Sequence, residues 1–370
     1  MSVLEIIEQA DTDSDMYLPP QLKCAAHTLN LIATTDADKA VADKSYSRIL
    51  QGSFGKCQAL WNAVHRSSKA SDAVKELSDK MLISPCPTRW NSKFDAIGRL
   101  LELTDKLAAI CDALSLPRLK PVELDFLKEY HTVMQPVAAT LDLLQGDVNC
   151  FYGILLPKLV QLRNKLKCLE TGRENHPQLQ YAKPLLSALL QGMTHRYGDL
   201  LDVCHTAKEA KAAVSHPKYK LRWVAPQKKE EVTNMFVAAV TSATAANSNA
   251  TAQEEPSTTT SSEDEDYGYD SPIEQQSEQN VVGESLLHAC ANRARVEALN
   301  YLDDREKDLQ ILSGYPNVCA TFLKYNTSLP SSAPVERLFS TGGLILTPRR
   351  NKLSDDVFEQ LLMLKTNADI

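Results

Sequence analysis

Near its C-terminus the chain reads Ser331-Ser332-Ala333-Pro334-Val335-Glu336-Arg337-Leu338-Phe339-Ser340, and then Thr347-Pro348-Arg349-Arg350-Asn351-Lys352-Leu353-Ser354. Ser332 is an N-cap residue type, and Pro334 tolerates the first turn of a helix because its missing N–H would have no partner there. A helix is therefore predicted to start at this point, with Leu338 and Phe339 on its apolar side and Gly342-Gly343 as its stop. The short apolar run Leu344-Ile345-Leu346 reads as buried. Ser354 caps a second helix, whose first turn holds Asp355 and Asp356, where the helix dipole favours acids. Val357, Phe358, Leu361, Leu362, Met363 and Leu364 then give that closing helix an unusually wide apolar face. The face is open to two readings at this point, packing within the same chain or packing against a second one.

The remaining sequence is helical in its periodicity. Apolar residues recur at 3–4 spacing through Leu50, Phe54, Cys57, Trp61 and Val64, through Ile97 to Leu114, and through Leu124 to Leu144. The same spacing runs from Leu155 to Leu169 and from Leu186 to Leu200, whereas period-2 alternation is lacking. The expected fold class is mainly α.

Residues 241–283 break the pattern, with nine acids, no Lys or Arg, and few large apolar side chains. Such a stretch cannot bury enough surface to offset ordering entropy, so disorder is expected. Its acids more than account for the net charge of −7, which leaves the rest of the 370-residue chain near neutral. A near-neutral body lacks the broad basic footprint of a strong nucleic-acid binder, although Lys218 to Arg222, Lys228-Lys229 and Arg349 to Lys352 are local basic clusters. Nine cysteines, scattered and without close pairs, argue for free thiols over a disulfide framework. No apolar run approaches the length of a membrane span.

The closing block resembles the C-terminal region of hAT-family transposases, with its Ser-Ala-x-x-Glu-Arg-x-Phe-Ser opening, basic Arg-Asn turn and Leu-rich last helix. Three further elements carry the resemblance. They are Thr88-Arg89-Trp90-Asn91-Ser92, the helix Cys24-Ala25-Ala26-His27-Thr28-Leu29-Asn30-Leu31, and Pro217-Lys218-Tyr219-Lys220-Leu221-Arg222-Trp223. The resemblance implies a helical insertion domain plus the C-terminal part of an incomplete ribonuclease-H-like fold. On that basis residues 1–39 are an acidic lead and remnant helix of the ribonuclease-H-like core, and 40–240 the insertion domain. Residues 241–283 are the linker, and 284–370 the C-terminal dimerisation region.

The resemblance also implies roles. Glu336 matches the last of three metal-binding acids. The family's first two acids lie on strands ahead of its Cys-x-x-His helix, and the 23 residues before Cys24 hold no convincing strand, so catalysis is not expected and Glu336 reads as vestigial. No zinc-binding BED-type framework occurs, no metal site is expected from Cys24 and His27, and Mg²⁺ would enter only in a fuller, active transposase. Leu338, Phe339, Leu353, Phe358, Leu361, Leu362 and Leu364 are the expected dimerisation seam, with a second copy or a related hAT protein as partner. Arg89, Trp90, Arg349, Arg350 and Lys352 are candidate contacts for weak DNA binding; for Trp90, packing is the competing reading. The function implied is that of a transposase-derived, N-terminally truncated protein that dimerises. An active transposase subunit or a DNA-binding regulator are the alternatives, and nuclear residence follows by resemblance only.

Overall fold

The computed structural model describes residues 23–86, 91–146, 149–172, 178–202, 208–251, 278–347 and 352–367. Helices dominate, and no strand occurs among the described residues, in keeping with a mainly α fold. The ribonuclease-H-like remnant therefore rests on the resemblance alone. No described helix is long and apolar enough to cross a membrane.

The first core is built around a long central helix. In chain order come α1 (Ala25–Leu31), α2 (Lys44–Arg66), α3 (Ser68–Ser78), α4 (Ser92–Glu102), α5 (Leu107–Ala113), α6 (Pro121–Leu144), α7 (Leu155–Thr171) and α8 (Lys183–Asp202). Helix α6 touches α1, α2, α4, α7 and α8. Its start follows from local chemistry: Pro121 occupies the first helical position, and the Glu123 carboxylate accepts the Lys120 N–H at 2.7 Å. Lys56 on α2 closes on the same carboxylate at 2.6 Å, which pins α2 to α6. The predicted stripes of α6 and α7 are the ones buried, Leu127, Val133, Val137 and Leu141 facing Leu159, Leu162 and Leu166 in one cluster. The stripe from Ile97 to Leu114 is not one helix. It breaks between α4 and α5 at residues 103–106, yet Leu103 and Leu107 both stay buried across the turn.

Helix α1 continues through a π-turn (Ile32–Asp36) and a 3₁₀ stretch (Ala37–Ala42), held by α8. Asp36 is buried and receives Arg196 Nε at 2.5 Å and Lys39 Nζ at 2.7 Å. Burial opposes ionisation of this carboxyl, but the two cations outweigh it and hold it below the usual carboxylate range. Gly192 makes the approach of α8 possible, because a Cβ there would meet Asp36 Cβ at 2.8 Å.

The second core crosses the acidic stretch. Helices α9 (Lys208–Ser215), α10 (Lys229–Thr251), α11 (Glu278–Asp303) and α12 (Pro316–Asn326) enclose it. Val232, Phe236 and Val240 on α10 pack with Ala294, Ala298 and Tyr301 on α11 and with Val318 and Phe322 on α12. Thus the packing joins residues on either side of 241–283 into one cluster. Helix α10 runs to Thr251 and α11 begins at Glu278, so both ends of the stretch expected to be disordered are helical. Alanines at 243, 245 and 246 have the highest helix propensity and favour that extension. Residues 252–277 lie outside the described residues.

Candidate functional site

The last two helices, α13 (Ala333–Ile345) and α14 (Asp355–Thr366), form a hairpin that packs chiefly on itself. Its base is tied to the far end of the chain. Cys24 Sγ accepts N–H groups from Ser332 at 3.3 Å and His27 at 3.4 Å, and the Ala25 N–H reaches Pro330 O at 2.9 Å. Burial pushes the Cys24 thiol up, and donors from Ser332, His27 and Ser331 more than reverse this, leaving it below its ordinary value. His27 meets the sulfur through its backbone, while its own side chain is exposed. The family-typical Cys-x-x-His helix and the helix bearing Glu336 are therefore joined directly, without a strand between them among the described residues.

Several local expectations need correction. Ser332 precedes α13, but its hydroxyl turns to the Glu336 carboxylate at 2.8 Å, and the Ala333 N–H is taken by Ser331 Oγ at 3.1 Å. Gly342 and Gly343 do not stop α13, which runs on to Ile345. The reason for Gly342 is close packing: a Cβ there would sit 3.1 Å from Phe358 Cζ of α14. The run Leu344-Ile345-Leu346 is not buried as a unit. Only Ile345 is, whereas Leu344 is 70% and Leu346 50% exposed, as the helical turn between them dictates.

The expected seam residues divide into two groups. Phe358 and Leu362 lie closest to Gly342 and form the inside of the hairpin, with Leu361 and Leu353 half-buried nearby in sequence. Phe339 is 72% exposed and Leu364 71%, and Leu338 is also exposed. Val335, Leu344, Val357 and Met363, outside the expected seam, add to the exposed apolar surface. A signal existed for Val357 and Met363, since both lie on the wide apolar face of the closing helix. Leu344 departs from the expected burial because α13 continues through it to Ile345. These exposed apolar side chains all belong to one small hairpin.

Glu336 stands in the first turn of α13, exposed, with Ser332 Oγ as its hydrogen-bond partner. Two-metal phosphoryl transfer needs several carboxylates around cations about 4 Å apart. Among the described residues no three His, Cys, Asp or Glu side chains come together in that way. The described residues therefore do not fit the metal centre that the resemblance implies. Of the candidate DNA contacts, Lys352 is exposed, and Arg89, Trp90, Arg349 and Arg350 lie outside the described residues.

These features define a mainly helical protein ending in an exposed apolar hairpin. Residues 276–368, spanning α11 to α14, match the family model described as the hAT family C-terminal dimerisation region. This closing part of the chain is thus similar to the dimerisation region of hAT-family transposases. A comparison with curated proteins found no match.

Proposed function

We propose that this chain works as an interaction protein, pairing with a second copy or a related hAT protein through the outer face of α13 and α14. The observation that carries this reading is the exposure of Phe339, Leu344 and Leu364 inside the matched dimerisation region. Surfaces of this kind, central aromatic and aliphatic side chains rimmed by polar ones, supply most of the energy of protein–protein contacts. Phe358 and Leu362 support it from behind by holding the two helices together against Gly342. The proposal includes an absence of DNA strand cleavage by this chain, motivated by Glu336 belonging to no group of three His, Cys, Asp or Glu side chains among the described residues. It also includes nuclear residence, to be checked by imaging a tagged chain.

The test is the mass of the purified full chain by light scattering across a dilution series. A concentration-dependent dimer supports the reading, and a monomer at tens of micromolar overturns it. Incubation with supercoiled DNA and Mg²⁺ or Mn²⁺ tests the second half of the proposal, and nicking that disappears in Glu336→Gln would refute it.

A further inference from the structure

A second feature lies away from the hairpin, where α6, α7 and the turn after α9 enclose a cleft of about 920 Å³. Lys158 and Lys165 line it from α7, Lys218 and Arg222 from the turn, and Lys307 from the segment after α11. No Asp or Glu is among its lining residues. None of these five cations makes an ion pair with a carboxylate among the described residues. Burial, then the neighbouring Lys218 and Lys165, lower the Lys158 pKa, as expected where like charges crowd together. In a body whose net charge is near neutral, these five cations gather at one cleft that no acid lines.

The turn is built to present them. Lys220, between Lys218 and Arg222, points inward instead, and its Nζ donates to Tyr301 O and Asp304 O at 2.6 Å each, at the C-terminal end of α11. A cation is favoured at that end of a helix. The anchor holds Lys220 at φ 42, a left-handed conformation that a side chain adopts only under tertiary constraint. With Lys220 fixed, Lys218 and Arg222 fall on the cleft side, together with the rings of Tyr219 and Trp223. Trp223 Nε1 is buried and has no hydrogen-bond partner in the protein.

We propose that this cleft binds the phosphate groups of a nucleotide, free or within a single strand, with its base against Trp223 or Tyr219. Cations supply the phosphate contacts, and aromatic faces supply sequence-tolerant stacking, the combination found in single-strand grooves. An acidic peptide would be satisfied by the lysines and would leave the two rings unused. The volume is that of a small-molecule site, large enough for one or two nucleotides.

The experiment uses the full chain, a fluorescein-labelled 15-mer of deoxythymidine, and a fluorescent adenosine triphosphate, read by anisotropy. If all five cations meet phosphates of the strand, affinity falls about 100-fold between 50 and 200 mM salt, using a slope of roughly −0.7 per contact. The Lys158→Gln/Lys165→Gln/Arg222→Gln variant, with two contacts left, loses only about 7-fold over the same range and binds more weakly at 50 mM. A control removing the remote, exposed Lys44, Lys69 and Lys75 leaves both values unchanged. Lys165 and Arg222 are exposed, so the double variant Lys165→Gln/Arg222→Gln serves should the triple one fold poorly. Trp223→Leu weakens the strand further at unchanged salt slope. Binding of the triphosphate that unlabelled strand displaces supports the site with free nucleotide as a source, and strand binding alone assigns the strand. Absence of both, or binding indifferent to the cleft variants, overturns the proposal. So does equal competition by polyglutamate, which would make the cleft a site for acidic chains.

Discussion

Phe339→Ala isolates the proposed seam from the fold. A phenylalanine side chain presents about 200 Å², and with the residue 72% exposed roughly 140 Å² of it is open to solvent. Complete burial against a partner is worth at most about 3.5 kcal/mol at ~25 cal/mol per Å². Interfaces return only part of such area as affinity, so about 2 kcal/mol per ring is the working figure. A twofold dimer contains the ring twice, which gives about 4 kcal/mol, or roughly a thousandfold in the dimer dissociation constant. Because the ring touches little within its own chain, the melting point should move by no more than about 2 °C once protein concentration is held fixed. Sedimentation equilibrium over a hundredfold range of concentration, with a thermal melt alongside, reads both quantities. A dissociation constant within tenfold of the parent, in a variant that remains folded, would refute the placement of Phe339 in the seam. Asp at both Leu361 and Leu362 is a poorer probe, since Leu362 lies close to Gly342 inside the hairpin and its loss would disturb α13 and α14 themselves.

Other outcomes follow from the packing. Gly342→Ala should destabilise the hairpin by about 1 kcal/mol, because Phe358 must shift, whereas Gly343→Ala, with open space around it, should stabilise α13 by about 0.5–1 kcal/mol; comparing the two by denaturant unfolding tests the proposed role of Gly342. Asp36→Ala strands Arg196 and should reduce the stability of the first core by about 3–5 kcal/mol in the same assay. His216, buried among Phe151, Tyr219 and Phe322 with Lys218 as its charged neighbour, is lowered to about 4, first by burial and then by Lys218. The unfolded chain binds that proton near 6.5, so the stability is fully present above that pH and is lost as pH falls towards 4. The loss is about 3 kcal/mol, and the slope over this window should flatten in His216→Phe. Lys220→Met should unfix the turn that carries Lys218 and Arg222, seen as a loss of at least about 2 kcal/mol in stability and weaker nucleotide binding.

Local pattern determined much of this protein. The 3–4 spacing of Leu155 to Leu169 is the buried face of α7, and Ser354 with Asp355 and Asp356 starts α14, because helix periodicity and end chemistry act over a few residues and need no partner. The resemblance of the closing block to the hAT family was likewise readable from contiguous residues, and residues 276–368 match that family's dimerisation region. What local pattern could not give was direction and distance. Gly342 reads as a helix stop until Phe358, 16 residues on, is seen to need the space its missing side chain leaves. Phe358 and Phe339 are equally apolar in sequence, and only the hairpin's geometry turns one inward and the other to solvent. The stretch at 241–283 reads as a boundary, yet Phe236 before it and Tyr301 after it share one core, so a fragment beginning at 284 would lose the α10 face that covers α11. Lys218 and Arg222 read as a solvated basic run, and it is Lys220, held by the carbonyls of Tyr301 and Asp304, that aims them into the cleft. Contacts between residues tens of positions apart depend on how whole helices pack, and that information is distributed over both cores and absent from any one stretch of sequence.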